Sequence, residues 1–360
     1  MKRKTIGSKL VAIISLAFAV VFAGKGIYDG FVDYRQSLTE NTAIVQTQND
    51  SITHDLESIF AETSQSARDM VALIKAELAL PVEQRSRDKL LQYSKTLLAE
   101  NSTLEAFGIL FEPNAFDAKD TDFSAVPLYR TQGRFITYTH KTAAGIVIDG
   151  VDDPADEYWY YEPIRRKQPV LCAPYDYESN IVTTLAMPII HEGKVLGALN
   201  ADINVTFMQK RLAGIPGTSK ENFKILCADN GSVIANGADA SKVMTNQLEV
   251  NPELQSLFES TARGEKGMYT TFSRISGLRS TVLFSPVFIN GVDTNWIFIS
   301  VTSIHLSTAN VVRTVLINML HYAVGLIVMV GLLFVLVRNM VSKPLRATSI
   351  ALKEIAEGDG

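Results

Sequence analysis

The chain has 360 residues, 47% of them hydrophobic, with a formal net charge of −4. That length allows two or three domains, and an acidic balance without a basic stripe excludes a nucleic-acid-binding protein. The five histidines have no ligand spacing to one another or to the two cysteines, so neither a metal nor a cofactor is expected.

In chain order, the first element is an apolar run, "LVAIISLAFAVVFA" at 10–23, behind "MKRK". It is compatible with a cleavable signal peptide. The adjoining stretch favours an uncleaved anchor: from Phe31 to Leu80 there is neither Gly nor Pro, and apolar residues recur at Phe31, Tyr34, Leu38, Val45, Ile52, Leu56, Ile59, Met70 and Ile74. That spacing predicts one long helix leaving a membrane. Its stripe exceeds what one module covers, so pairing with a second copy in a homodimer is expected. A second apolar run, 315–337, carries no charged side chain; at ~1.5 Å per residue it spans about 34 Å, enough to cross a bilayer. Lys2, Arg3, Lys4 and Lys9 precede the first span, and Arg338, Lys343 and Arg346 come after the second. The positive-inside rule therefore places both ends in the cytoplasm and the intervening region outside, with membrane lipid around the spans. Two cysteines, Cys172 and Cys227, do not make a disulfide scaffold; two buried thiols are the simpler expectation.

Between the spans, a helix is expected near 83–98, then a strand at "LEAFGILFEP" and strand–turn–strand at "IVTTLAMPII", "HEG" and "KVLGALNADI". A helical "VTFMQKRLAGI" leads to a second block opening with "FKILCADNGSVIANG". A shift of 98 residues brings Thr183 onto Thr281, Leu185 onto Leu283, Pro188 onto Pro286 and Gly193 onto Gly291, which predicts a duplicated antiparallel α+β module. The same shift brings Asp202 onto Ser300, so only the first copy carries that acid.

The stretch "DEYWYYEP" at 156–163 sets four consecutive rings among acids. Trp and Tyr faces attract cations, at ~0.5–2 kcal/mol per ring. Asp202 interrupts the apolar strand "LGALNADINV" and is costly to bury unless something pairs with it. Against this stand ordinary uses: rings in a core, an acid paired with a structural base such as Arg165, and an exposed Glu157 with Arg134 or Arg165 serving a ligand. There is no P-loop, no G-x-S-x-G elbow and no identifiable pair of catalytic carboxylates, so no enzyme is expected in this chain.

The stretches "GRFITY" (133–138), "YWYYEP" (158–163), "QPVLCAPYDY" (168–177), "TTLAMPII" (183–190) and "GKVLGALNADI" (193–203) resemble the extracellular double-Cache sensor region of bacterial methyl-accepting chemotaxis receptors. The resemblance implies an α+β fold, a long N-terminal helix carrying two tandem PAS-like antiparallel modules, flanked by two transmembrane helices in the bacterial inner membrane. The implied divisions are a cytoplasmic 1–9, a first span at 10–29, the long helix at 30–80, a membrane-distal ligand-binding module at 81–212, a membrane-proximal module at 213–312 and a second span at 313–337. The tail 338–360 resembles the start of a HAMP linker, with cytoplasmic signalling partners beyond it. In the family's amino-acid-binding branch an Arg two residues before the Trp clamps the ligand carboxylate; here that position is Glu157. The implied site is Glu157, Trp159, Tyr160, Tyr175, Tyr177 and Asp202. An acid in place of the Arg points to an amine or other organic cation, with an amino acid as second choice. The same sensor on a histidine kinase or diguanylate cyclase, or a non-signalling surface protein, remains open at this stage.

Overall fold

The computed structural model describes residues 6–177 and 180–358. Residues 1–5 of the expected cytoplasmic segment, 359–360 at the end of the expected linker, Glu178 and Ser179, and the Leu38 side chain lie outside that description. The chain divides into two compact units, 1–44 with 305–360, and 45–304.

The first unit contains the early turns of α1 (Ile6–Leu78), α8 (Ile304–Val337), a π-helical stretch at Arg338–Ser342 and α9 (Lys343–Glu357). Both long helices have the length and hydropathy to cross a membrane. Small residues let them approach: a Cβ on Gly30 would lie 3.2 Å from Val315, and one on Gly26 3.3 Å from the Tyr322 ring. The Tyr322 hydroxyl donates to Asp29, and the Asn318 amide donates to Asp33 at 3.1 Å. Gly358 ends α9 in the left-handed conformation, which glycine adopts without a Cβ penalty.

In the second unit, α1 buries Leu56, Phe60, Met70 and Ile74 against two sheets and α2 (Arg87–Glu100). Phe60 meets Trp296 edge-to-face at 4.6 Å. The stripe read as a dimer seam is thus covered from Leu56 onward by the chain's own core, whereas Phe31 and Tyr34 are exposed. The first sheet holds β1 (Leu104–Phe111), β2 (Ile136–Thr142), β3 (Gly145–Gly150), β4 (Val170–Leu171), β5 (Tyr175–Tyr177), β6 (Asn180–His191) and β7 (Lys194–Asn204), all pairing antiparallel. Its main path runs β3-β2-β1-β7-β6-β4, with β5 also on β6. The β6–β7 turn is the expected one: Glu192 and Gly193 both have positive φ, the conformation a two-residue hairpin needs to match strand twist.

Between β1 and β2 the chain forms α3 (Asp120–Phe123) and is pinned to α2 by a buried ion cluster. Arg87 donates to both Asp117 oxygens at 2.8 Å, to Asp120 at 2.7 Å and to the Gly133 carbonyl at 2.7 Å. Its guanidinium lies over the Phe123 and Tyr129 rings. Burial opposes the Asp117 charge, but the Arg87 bonds prevail and hold its carboxyl below the ordinary value.

After β3 comes α4 (Tyr158–Arg166), which separates the four consecutive rings. Trp159 and Tyr160 are buried, and Tyr158 and Tyr161 are exposed. Then α5 (Val205–Ala213), capped by the Asn204 side chain, leads into the second sheet. That sheet has β8 (Asn222–Cys227), β9 (Val233–Asn236), β10 (Gly267–Phe272), β11 (Arg279–Val287) and β12 (Trp296–Ser303), ordered β10-β11-β12-β8-β9. Two short helices, α6 (Gln247–Val250) and α7 (Gln255–Ala262), lie between β9 and β10. Cys172 and Cys227 are buried free thiols.

The internal repeat holds for strand order but not for a single shift. Thr184 pairs with Asp202, while Val282, 98 residues beyond Thr184, pairs with Val301. On the face shared with Asp202, the counterpart is therefore Val301. Ser300 is on the opposite face with Trp296 and Phe298, which pack in the cluster containing α1. The correction is of register; the second module still carries no acid there.

Candidate ligand cavity

Strand alternation sets which β7 residues can meet a ligand. Leu199, Ala201 and Ile203 face the core with α1, and Ala198, Asn200 and Asp202 face the other way, toward α4. Gly108 on β1, opposite Asn200, leaves the floor open; a Cβ there would sit 3.3 Å from the Asn200 Cβ. The result is a nearly filled cavity, with free space of only about 10 Å³, walled by Tyr138, Trp159, Tyr175 and Tyr177, with Asn200 and Asp202 on the sheet side. Tyr138 and Tyr177 pack at 4.9 Å, and Trp159 stands edge-on to Tyr177 at 6.2 Å.

Asp202 is 2% exposed. Its two oxygens accept from the Thr184 hydroxyl at 2.6 Å and the Tyr138 hydroxyl at 2.8 Å. Tyr175 and Thr184 share a further hydroxyl–hydroxyl bond at 2.6 Å. Since the Thr184 proton goes to Asp202, Tyr175 must donate to Thr184. Burial raises the Asp202 carboxyl to about 6 against these two bonds, which favour the charge. Burial, with the Asp202 charge second, also pushes the Tyr138 and Tyr175 phenols up, so both remain neutral donors. Among the described residues no Lys or Arg lines this cavity, and the buried Asn200 Oδ1 has no hydrogen-bond partner. The arrangement offers acceptors and π-faces, and it lacks a compensating cation.

Of the sequence candidates, Trp159, Tyr175, Tyr177 and Asp202 come together here. Tyr160 does not: its hydroxyl donates to Glu112 at 2.6 Å and accepts from Arg134 at 2.5 Å, on another flank of α4. Arg134 is also bonded to Asp153 and the Phe111 carbonyl, and Arg165 to Glu162, so neither replaces the missing clamp. Glu157 is exposed at the start of α4. It borders a wider cleft that shares the Trp159 and Tyr175 walls and includes Asp229 and Asp293, with Arg166 opposing them. Sequence reasoning missed Tyr138, Thr184 and Asn200. The first two lie in stretches that carried the resemblance, and Asn200 is two residues before Asp202, hence on its face.

Residues 90–210 match a family profile described as "Methyl-accepting chemotaxis protein-like, first PDC sensor domain". Over 142 residues the chain is 29% identical to the methyl-accepting chemotaxis protein TlpQ of Pseudomonas aeruginosa, a match covering 34% of this chain and 20% of TlpQ. The chain thus spans about a fifth of that relative's length. The extracellular domain of the putative histidine kinase mmHK1S-Z3 superposes with a TM-score of 0.64 at 19% identity, over 77% of this chain and 98% of that one. The periplasmic sensory domain of the Campylobacter jejuni chemoreceptor Tlp1 gives 0.61 at 15% identity, over 75% and 97%. At those identities the structures show a common fold.

Proposed function

We propose that this chain, the sensor region of a methyl-accepting chemotaxis receptor, captures a small organic cation outside the inner membrane. The observation that carries this reading is Asp202, buried without a basic partner inside a box of aromatic rings, beside an acceptor on Asn200 that has none to accept from. An ammonium group supplies what the box lacks: a charge for Asp202, N–H donors for Asn200 and a cation for the rings. At about 10 Å³ the cavity has room for about one water, far below the ~300–1,000 Å³ of common ligand sites, so the rings must part to admit a ligand. The ammonium head sits in the box, and a longer body passes Trp159 and Tyr175 into the cleft bordered by Glu157, Asp229 and Asp293. Those acids concentrate cations at the entrance. Biogenic amines and polyamines have all of this chemistry; quaternary ammonium compounds bring the charge for Asp202 and the rings but no N–H for Asn200, and a free amino acid would bring a carboxylate with no Arg to receive it.

Both termini lie in the cytoplasm, and ligand capture shifts α8 relative to α1, delivering a displacement through the π-helical stretch to α9. A HAMP linker and a chemotaxis signalling domain would come next. Titration calorimetry on the detergent-purified chain with putrescine, phenethylamine and choline, against a panel of free amino acids, tests the ligand class. Saturable binding of an amine supports it; binding of amino acids alone overturns it.

A further inference from the structure

The second sheet carries a cleft of its own on one face. On the side turned away from α1, Phe223, Ile225, Val282, Phe284, Ile299 and Val301 form an apolar floor. In the first module the corresponding face is filled by aromatic rings and Asp202. Here a cleft of about 320 Å³ stands over the floor, lined also by Leu254, Tyr269 and Ile275. Asn236, the last residue of β9, pairs with Ile225 and therefore shares its face. It is fully buried and lines the cleft. Its Oδ1 accepts from the Ala238 and Asp239 backbone N–H groups at 3.0 and 3.2 Å, which fixes the amide orientation. Its Nδ2 has no hydrogen-bond partner.

A buried donor left without an acceptor is destabilising, so a donor held this way beside an apolar cleft marks a place for an acceptor brought from outside. We propose that the second module is a separate ligand site for a small apolar monocarboxylate, whose oxygen accepts from Asn236 Nδ2 while its hydrocarbon part covers the apolar floor. Charge on the walls selects the acid: Lys242 and Arg274 border the cleft against a single Glu253. A cation is disfavoured, because Asn236 presents a donor and no buried acid lines the cleft among the described residues. The inference does not depend on the amine site.

The test is calorimetric titration of the detergent-purified full chain with hexanoate and benzoate, with hexylamine and hexanol as controls. The acids are expected to bind saturably and more tightly than either control. Asn236→Asp keeps the oxygen that holds the 238–239 turn and replaces the donor with an acceptor; acid affinity should fall at least tenfold. Ile275→Trp fills the mouth without touching Asn236 and should lower acid affinity comparably. Both variants should keep the parent's far-UV circular dichroism spectrum and cooperative thermal melt, which report on folding. The proposal is overturned if neither acid binds, if hexanol binds as well as hexanoate, or if either variant, folded, binds acid like the parent.

Discussion

Thr184 and Asp202 face each other in direct register across β6 and β7, and the threonine hydroxyl donates to the buried carboxylate at 2.6 Å. One hydroxyl orients the acid and, through the bond from Tyr175, also positions a wall of the box. Neutral donors hold the acid and no basic side chain lies on it among the described residues, which is what the proposed cation would meet. Asp202→Asn should therefore weaken amine binding by ~2–5 kcal/mol, the loss expected when one member of a buried charge pair is removed. Calorimetry reads it; parental affinity in Asp202→Asn would remove the acid from the site.

Binding should also depend on pH. Asp202 titrates at about 6 in the folded chain against an ordinary 3.8. An amine needs the ionised acid, so affinity should fall roughly tenfold per pH unit below about 6. For the ligand-free protein the sign is opposite. Between about pH 4 and 6 the folded chain holds a proton the unfolded chain releases, so this group's contribution to stability declines as pH rises through that window. Urea melts at successive pH values should show the decline in the parent and lose it in Asp202→Asn. Thr184→Val removes a bond that favours the charge and should move the binding midpoint upward.

Glu157 should behave differently from Asp202 because it is exposed at the cleft rather than inside the box. Glu157→Arg should slow amine association several-fold, with the effect fading as salt rises past ~0.15 M, and leave dissociation nearly unchanged. Stopped-flow association at two salt concentrations separates the outcomes. A loss residing wholly in the dissociation rate would put Glu157 in direct contact with ligand.

The Arg87 cluster should be a stability determinant. Arg87→Met leaves Asp117 and Asp120 buried without their partner, at a cost of about 3–5 kcal/mol. Thermal melts read by circular dichroism should show it. An unchanged melting temperature would mean the loop relaxes to hydrate both acids.

Much of this architecture was legible locally. The Glu192-Gly193 turn and alternating β6 and β7 announce themselves through turn chemistry and period-two patterning. Asp202 stood out because an acid in an apolar strand demands an explanation. The hidden part depends on register between distant strands: Tyr138 reaches Asp202 across 64 positions, and the one-residue difference between the two hairpins decides that Val301 replaces the acid. The helical turn that splits Trp159 and Tyr160 from Tyr158 and Tyr161 was hidden for a related reason. Tyr160 is buried, but toward Glu112 and Arg134, and only the placement of α4 on the sheet determines that.

The proposed transmission is tested between the two long apolar helices, whose membrane-side turns share one unit. There Gly30 faces Val315 closely enough that a Cβ would lie 3.2 Å from a valine methyl. Disulfides form with Cβ atoms about 3.5–4.5 Å apart, so Gly30→Cys with Val315→Cys should cross-link within one chain under mild oxidation. A ligand can bias α8 only by binding one of two arrangements better than the other, and a displacement of about 1–2 Å is enough to take two thiols out of range. Saturating amine should change the cross-linking rate at this pair, and Asp202→Asn should abolish the change while leaving the basal rate intact. If calorimetry shows the Asp202 cavity full and the rate is the same with and without ligand, capture is not transmitted by sliding α8 against α1 at this level.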